Sequence, residues 1–410
     1  MTADPALRGP WTPRVVVQLA VLAAAAFSYV TAEILPVGAL SAMAEDLGVS
    51  EARIGSLLAW YALVAAATTI PLVRWTARWP RRRALLLALG CLAVSQLISA
   101  LAPTFAVLVV GRVLCAITHG LMWAVIAPIA ARLVPVSHFG RATIAIYVGS
   151  SLGLVVGVPL MARLSLSGGW RPAVGLVAVA AVAVFLAARV VLPQMVLSPD
   201  QQTRVGAGAH HLRNPRLVLV SVLTLIVVIG HFVSFTFILA IIRDVVDVHA
   251  ANPVSWLLAC YGIVGVIAMA AIARPLDRRP TVVMLTCMTT LAVTFVLLTG
   301  LAFDGRHSPL TVLVGIVAIL LWGAMAATVA PMLQTAAMRS APTDLDGASG
   351  LYVAAFQVGI AAGSLAGGFL YGRAGVAVML AASTALIVVA LIGMVAGRRV
   401  FGVYSLVSAT

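Results

Sequence analysis

The sequence predicts an all-helical integral membrane fold, with twelve spanning helices in two six-helix halves of like orientation. Three observations carry this reading. Hydrophobic residues make up 62% of the 410-residue chain and charged residues only 9%, against about 45–50% apolar and roughly 25% charged in soluble domains. Apolar runs close to the roughly 20 residues needed to cross a hydrocarbon core recur twelve times. The two halves of the chain also echo one another in sequence.

The elements follow in order. The polar start "MTADPALRGPWTPR" precedes an apolar run too long for a signal-peptide core, so that run reads as the first span. The spans lie near 15–40, 53–73, 84–102, 105–130, 141–165 and 172–192, then 217–242, 253–273, 281–303, 310–333, 347–371 and 375–396. Lipid offers backbone groups no partners, so each span is expected to be a helix. A short break around Pro103 separates the third from the fourth. Between the two sets lies "PQMVLSPDQQTRVGAGAHHLRNPR", polar and punctuated by Gly and Pro, which reads as a linker. The predicted organisation is therefore a first half over 1–192, a linker over 193–216, a second half over 217–396 and a tail over 397–410.

Arginine placement orients the spans. All 26 basic residues are Arg. With both termini in the cytoplasm, nineteen fall on the cytoplasmic side, six on the other side, and one, Arg112, inside a span. The repeat agrees with this topology. At an offset of 200, Tyr61, Arg74, Arg78 and Pro80 meet Tyr261, Arg274, Arg278 and Pro280. At 203, Gly120, Met122 and Pro128 meet Gly323, Met325 and Pro331. Like-oriented halves of this kind are a transporter architecture with a midplane site.

Several function classes are excluded. The net charge of +14 comes from short loop clusters without interleaved aromatics, which argues against nucleic acid. The four cysteines, Cys91, Cys115, Cys260 and Cys287, lie in apolar runs without ligand spacing and read as packing residues. No HExxH motif or cluster of acids and histidines at one membrane face is present, so an enzyme is not expected. His210 and His211 read as solvated loop.

Ionisable groups inside spans usually face a bundle interior and mark ion pathways. Of twelve acids, only Glu33 lies well inside a span. It falls about seven residues below the outer edge of the first span, and Arg112 about seven below the outer edge of the fourth, so both are ~10 Å deep at 1.5 Å per residue. Burial favours the neutral acid and an adjacent cation favours the carboxylate. The expectation is that Glu33 carries a coupling proton and Arg112 tunes it; the plain alternatives are a static Glu33–Arg112 bridge or a Glu33 that snorkels to the interface. His119 and His231 form a second pair by depth, near the midplane, where a neutral imidazole donates and accepts hydrogen bonds. Tyr29, Tyr61, Trp123, Tyr261 and Trp322 are candidate aromatic walls for a substrate, and Gln96 and Gln357 are candidate polar groups there. Gly149, Gly153 and Gly157 form a row on one helix face, suited to close packing.

With these motifs in view, the chain resembles the major facilitator superfamily over nearly its whole length. The loop after the second span, "VRWTARWPRRR", matches the family loop motif at Arg81 and Arg82, with Ala77 where an acid and Pro80 where a glycine is usual. The second-half copy, "ARPLDRRP", keeps its acid as Asp277. The resemblance implies a cytoplasmic charge gate drawn from Arg78, Arg81, Arg82, Asp277 and Arg278. Arg112 followed by Gly120 resembles the family's buried-arginine motif. "GSSLGLVVGVP" places Gly149, Gly153, Gly157 and Pro159 much like the antiporter motif, with Val158 splitting the usual Gly-Pro pair. "EILPVG", "TARWPRRR", "THGLMWA" and "GHFVSFTFI" together are similar to bacterial sugar-efflux and chloramphenicol-resistance-type transporters.

The resemblance implies proton-coupled efflux of a small neutral or amphipathic solute, such as a sugar or an antibiotic, by rocking of the two halves. An uncoupled facilitator or importer on the same fold is the alternative. Expected partners are the solute, protons and membrane lipid. The protein is expected to act as a monomer in the bacterial inner membrane, without a metal or other cofactor.

Overall fold

The computed structural model describes residues 10–196 and 213–401. Most of the expected tail and of the linker, with His210 and His211, lies outside the described residues. The described residues form two compact units. Residues 10–196 and 341–357 make up the first, and 213–340 with 358–401 the second.

In the first unit, Thr12 caps α1 (Pro13–Gly38), whose first residue is a proline. Proline is preset for that position and needs no hydrogen-bond acceptor there. Pro36 lies inside the same helix. After the short α2 (Leu40–Asp46), Ser50 caps α3 (Glu51–Trp75). Then come α4 (Arg81–Ala100) and α5 (Phe105–Arg132), the latter capped by Thr104. The fifth expected span is composite: α6 (Phe139–Leu152), a π-helical turn over Gly153–Gly157 and α7 (Val158–Gly168). Gly169, at φ 88°, turns the chain into α8 (Trp170–Val191). Helix α4 packs on α5 and α8, α3 on α5, and α1 on α6.

In the second unit, Asn214 accepts from the N–H groups of Arg216 and Leu217 and so caps α9 (Pro215–Phe235). The short α10 (Ile238–Asp244), then α11 (Ala251–Arg278), α12 (Pro280–Asp304) and α13 (Pro309–Ser340) follow. The α11–α13 packing repeats the α3–α5 packing of the first unit. The small residues named by the repeat explain why. A Cβ on Gly120 would clash with Thr69, and one on Gly323 with the backbone of Tyr261.

Among the described residues, eleven helices are long and apolar enough to cross a membrane. The last, α14 (Leu345–Ala396), has 52 residues. At 1.5 Å per residue it is more than twice as long as a ~30 Å core requires. Gly375, at φ 78° and ψ −179°, interrupts it close to the expected break between the last two spans. The two short helices and the π-turn were not expected from sequence. The first residues of α14 also belong to the first unit, because Asp346 and Gly350 are fixed there. Arg132 grips Asp346 through Nη1–Oδ1 (3.2 Å) and Nη2–Oδ2 (2.5 Å), and Arg81 Nε lies 3.1 Å from Oδ2. Gly350 lies against Val73.

Candidate functional site

Glu33 and Arg112 come together in the first unit, as their equal depths predict, but their pairing differs from expectation, and His119, which depth had paired with His231, joins them. Arg112 does not bridge the Glu33 carboxylate. Its Nη1 donates to the backbone carbonyl of Ala32 (2.6 Å) and its Nη2 to that of Glu33 (2.7 Å). The cause is Pro36. A proline has no N–H to donate to the carbonyl four residues earlier, and that residue is Ala32. The guanidinium supplies the donor that the Ala32 carbonyl lacks. It also lies 4.8 Å from the centre of the Tyr61 ring, in cation–π range.

The His119 imidazole lies beside the Glu33 carboxylate, with Nδ1 at 4.0 Å from Oε2. The Glu33 side chain is 24% exposed, whereas that of His119 is 4%. Tyr61 Oη hydrogen-bonds the same Nδ1 at 2.9 Å. On the other side, the Tyr29 hydroxyl donates to the carbonyl of Ala88 (2.7 Å) and lies 3.1 Å from Thr118 Oγ1. The rings of Tyr29 and Tyr61 both meet His119 edge-on, at 6.0 and 5.3 Å. Trp123 extends the aromatic wall to Tyr147, 5.2 Å away. This arrangement can hold a proton on one carboxylate and relay its loss or gain through an imidazole and a phenol. Sequence marked Tyr61 as a candidate aromatic wall, but its hydrogen bond to His119 was missed, because that contact depends on how α3 packs on α5.

His231, Tyr261 and Trp322 come together in the second unit. The Trp322 indole N–H donates to His231 Nδ1 at 3.0 Å. An acceptor Nδ1 makes the imidazole neutral and leaves Nε2 as its donor. Phe235 stacks on His231 at 5.0 Å, and Tyr261 meets Trp322 edge-on at 5.9 Å. The Tyr261 hydroxyl is buried without a hydrogen-bond partner. Phe232 and Phe235 join this cluster although sequence had not named them. His119 and His231 thus belong to separate units and each has its own partner. Gln96 is buried in α4 and donates to Ser95 Oγ (3.3 Å). Gln357 is buried in α14.

The glycine row packs against α1. A Cβ on Gly149 would run into the backbone carbonyl of Ala23, one on Gly153 would lie 3.0 Å from that of Phe27, and one on Gly157 would strike the Thr31 side chain. Pro159 stands in the first turn of α7, exposed. Of the expected gate residues, Arg81 is buried and tied to Asp346. Arg82 Nη1 donates to the carbonyls of Leu192 (2.9 Å) and Arg189 (3.2 Å) at the end of α8. Asp277 accepts from Arg339 at 3.2 Å in the second unit. Arg78 and Arg278 are exposed. The partners Arg132, Asp346 and Arg339 were missed; their only sequence signal is a charge at the end of a span.

The Major Facilitator Superfamily model matches residues 21–344 and 229–402. Proteins named chloramphenicol efflux pump in two Mycobacterium tuberculosis strains, CDC 1551 / Oshkosh and ATCC 25618 / H37Rv, are each 63% identical over 392 residues. The alignment covers 96% of this chain and 94% of each relative. The fucose:proton symporter of E. coli has a similar fold, with a TM-score of 0.75 at 15% identity over 95% of this chain and all of that one. So does the human organic anion transporter TETRAN, with a TM-score of 0.74 at 18% identity over 94% of this chain and all of that one.

Proposed function

The chain belongs to the major facilitator superfamily, and from that premise we propose that it exports a small neutral or amphipathic antibiotic in exchange for protons. The cargo is of the chloramphenicol type, by similarity to the two relatives so named. The chain acts as a monomer in the bacterial inner membrane, with both termini in the cytoplasm.

One observation carries the proton reading. The one acid well inside a span, Glu33, lies 4.0 Å from the imidazole of His119, beside a guanidinium fastened to its own helix backbone. An ionised Glu33 is drawn toward these groups, and a protonated one is released from them. Gain and loss of the proton therefore bias α1 against α5, and alternating access carries the solute the other way. The aromatic cluster of the second unit, with a neutral His231 donor and the free Tyr261 hydroxyl, suits an uncharged solute with acceptor groups.

The test is Glu33→Gln in inverted vesicles. Drug accumulation driven by a pH gradient should vanish while exchange of drug down its own gradient persists. Gradient-driven accumulation at the wild-type rate in that variant overturns the reading in favour of a carrier in which Glu33 only supports structure.

A further inference from the structure

A cavity of about 360 Å³ lies between α3 and α5 in the first unit and shares Tyr61 and Arg112 with the site above. Its volume is within the ~300–1,000 Å³ of small-molecule sites. Aromatic rings of Trp60, Tyr61 and Phe105 line it, with aliphatic Val109 and Val113 alongside. Arg53 and Arg112 also line it, and no acid does. Arg112 is the telling residue. It is only 4% exposed. Its two terminal nitrogens each serve one carbonyl of α1, but its Nε is buried without any hydrogen-bond partner. A buried donor without an acceptor is costly, more so on a charged group. Nη2 has a second proton beyond the one given to Glu33, so the Nε edge of the guanidinium offers two parallel donors. That fork matches a planar pair of acceptor oxygens.

We propose that this cavity is a recognition site for a compact single-ring aromatic solute bearing a planar two-oxygen acceptor, either a nitro group or a carboxylate. The ring fits the aromatic and valine walls, the acceptor meets the Arg112 fork, and Arg53, in the first turn of α3, adds to the positive potential. Occupancy would report directly to α1, because the guanidinium that receives the solute also holds the Ala32 and Glu33 carbonyls of that helix. As an account of the exported cargo, this rests on the efflux reading above; as a binding site, it does not.

Isothermal titration calorimetry on the full chain in detergent tests it, using 4-nitrobenzyl alcohol, benzoate and benzyl alcohol. At least one of the two acceptor-bearing probes should bind about tenfold or more tighter than benzyl alcohol, the fold expected for a hydrogen bond to a charged group. The tighter of the two identifies which acceptor the site takes. Val109→Trp fills the cavity and should weaken that probe by about tenfold or more. Val113→Phe does the same more gently, and carries the test if the larger side chain prevents folding. Val179→Trp, on the exposed face of α8, should bind as wild type. The proposal is overturned if benzyl alcohol binds within about twofold of both other probes. It is also overturned if a cavity variant that melts like wild type binds like wild type. Vesicle export separates the two readings. Probe discrimination that the cavity variants abolish, in a chain that exports no drug, refutes efflux and leaves the site. Intact export with unaltered probe binding in the cavity variants refutes the site and leaves efflux.

Discussion

Arg112→Gln, combined with Pro36→Ala, tests why an arginine is buried in this chain. In the wild type, Pro36 deprives the Ala32 carbonyl of its intrahelical donor, and Arg112 replaces that donor at 2.6 Å while holding the Glu33 carbonyl at 2.7 Å. Hydrogen bonds to charged groups contribute about 1.5–3 kcal/mol each, so the pair is worth roughly 3–6 kcal/mol. A glutamine amide in the same place recovers one neutral bond of about 1 kcal/mol, which leaves a loss of about 2–5 kcal/mol. Adding Pro36→Ala restores an N–H to the orphaned Ala32 carbonyl and should return about 1 kcal/mol. In the wild-type background the same change gives no such gain, because the carbonyl already has a donor. The coupling energy of the double-mutant cycle is therefore expected to be about 1 kcal/mol, favouring the double variant over the sum of the singles. Equilibrium unfolding in mixed micelles, followed by circular dichroism, measures it. Additivity within about 0.5 kcal/mol would show that Arg112 is not there to serve the carbonyl that Pro36 leaves without a donor.

Three further outcomes follow from the geometry. Gly149→Ala should lower the melting temperature of the purified protein more than Gly153→Ala, since the first drives a Cβ into a rigid carbonyl and the second only presses on one; overpacking of this kind costs about 1–3 kcal/mol. Asp346→Asn removes the shared partner of Arg81 and Arg132 and should cost about 3–5 kcal/mol in the same unfolding assay, because it leaves buried guanidinium charge uncompensated. The repeat-related tyrosines should respond with opposite signs. Tyr61→Phe loses the bond to His119 and about 1 kcal/mol, while Tyr261→Phe removes a buried hydroxyl that has no partner and should be neutral or stabilising in a thermal melt.

The spans were legible because lipid imposes a simple rule on length and polarity, and even the break near Gly375 was marked by the gap between two apolar runs. Depth arithmetic brought Glu33 and Arg112 to the same place. It did not identify what Arg112 binds, although the sequence carried that signal. Pro36 stands four residues after Ala32, and a proline so placed always leaves a carbonyl in need of a donor. The contact of Tyr61 with His119 depends on the rotation of α3 against α5, which the hydrophobic pattern does not encode. The union of Asp346 with Arg132 joins residues 214 apart in sequence, and Ala77 had given no hint that the missing acid of its loop has a counterpart on α14. The widened turn at Gly153–Gly157 also left no trace, since glycines at every fourth position read as a continuous α-helical face.

That turn makes the fifth span one residue longer than its path through the bilayer requires. Deleting a single residue within Gly153–Gly157 converts the wide turn to an ordinary one and leaves both flanks in register. A deletion anywhere else in the span swings everything beyond it by about 100° and shifts it by about 1.5 Å. In a scan of single-residue deletions, this stretch is where the chain can lose a letter and keep its meaning.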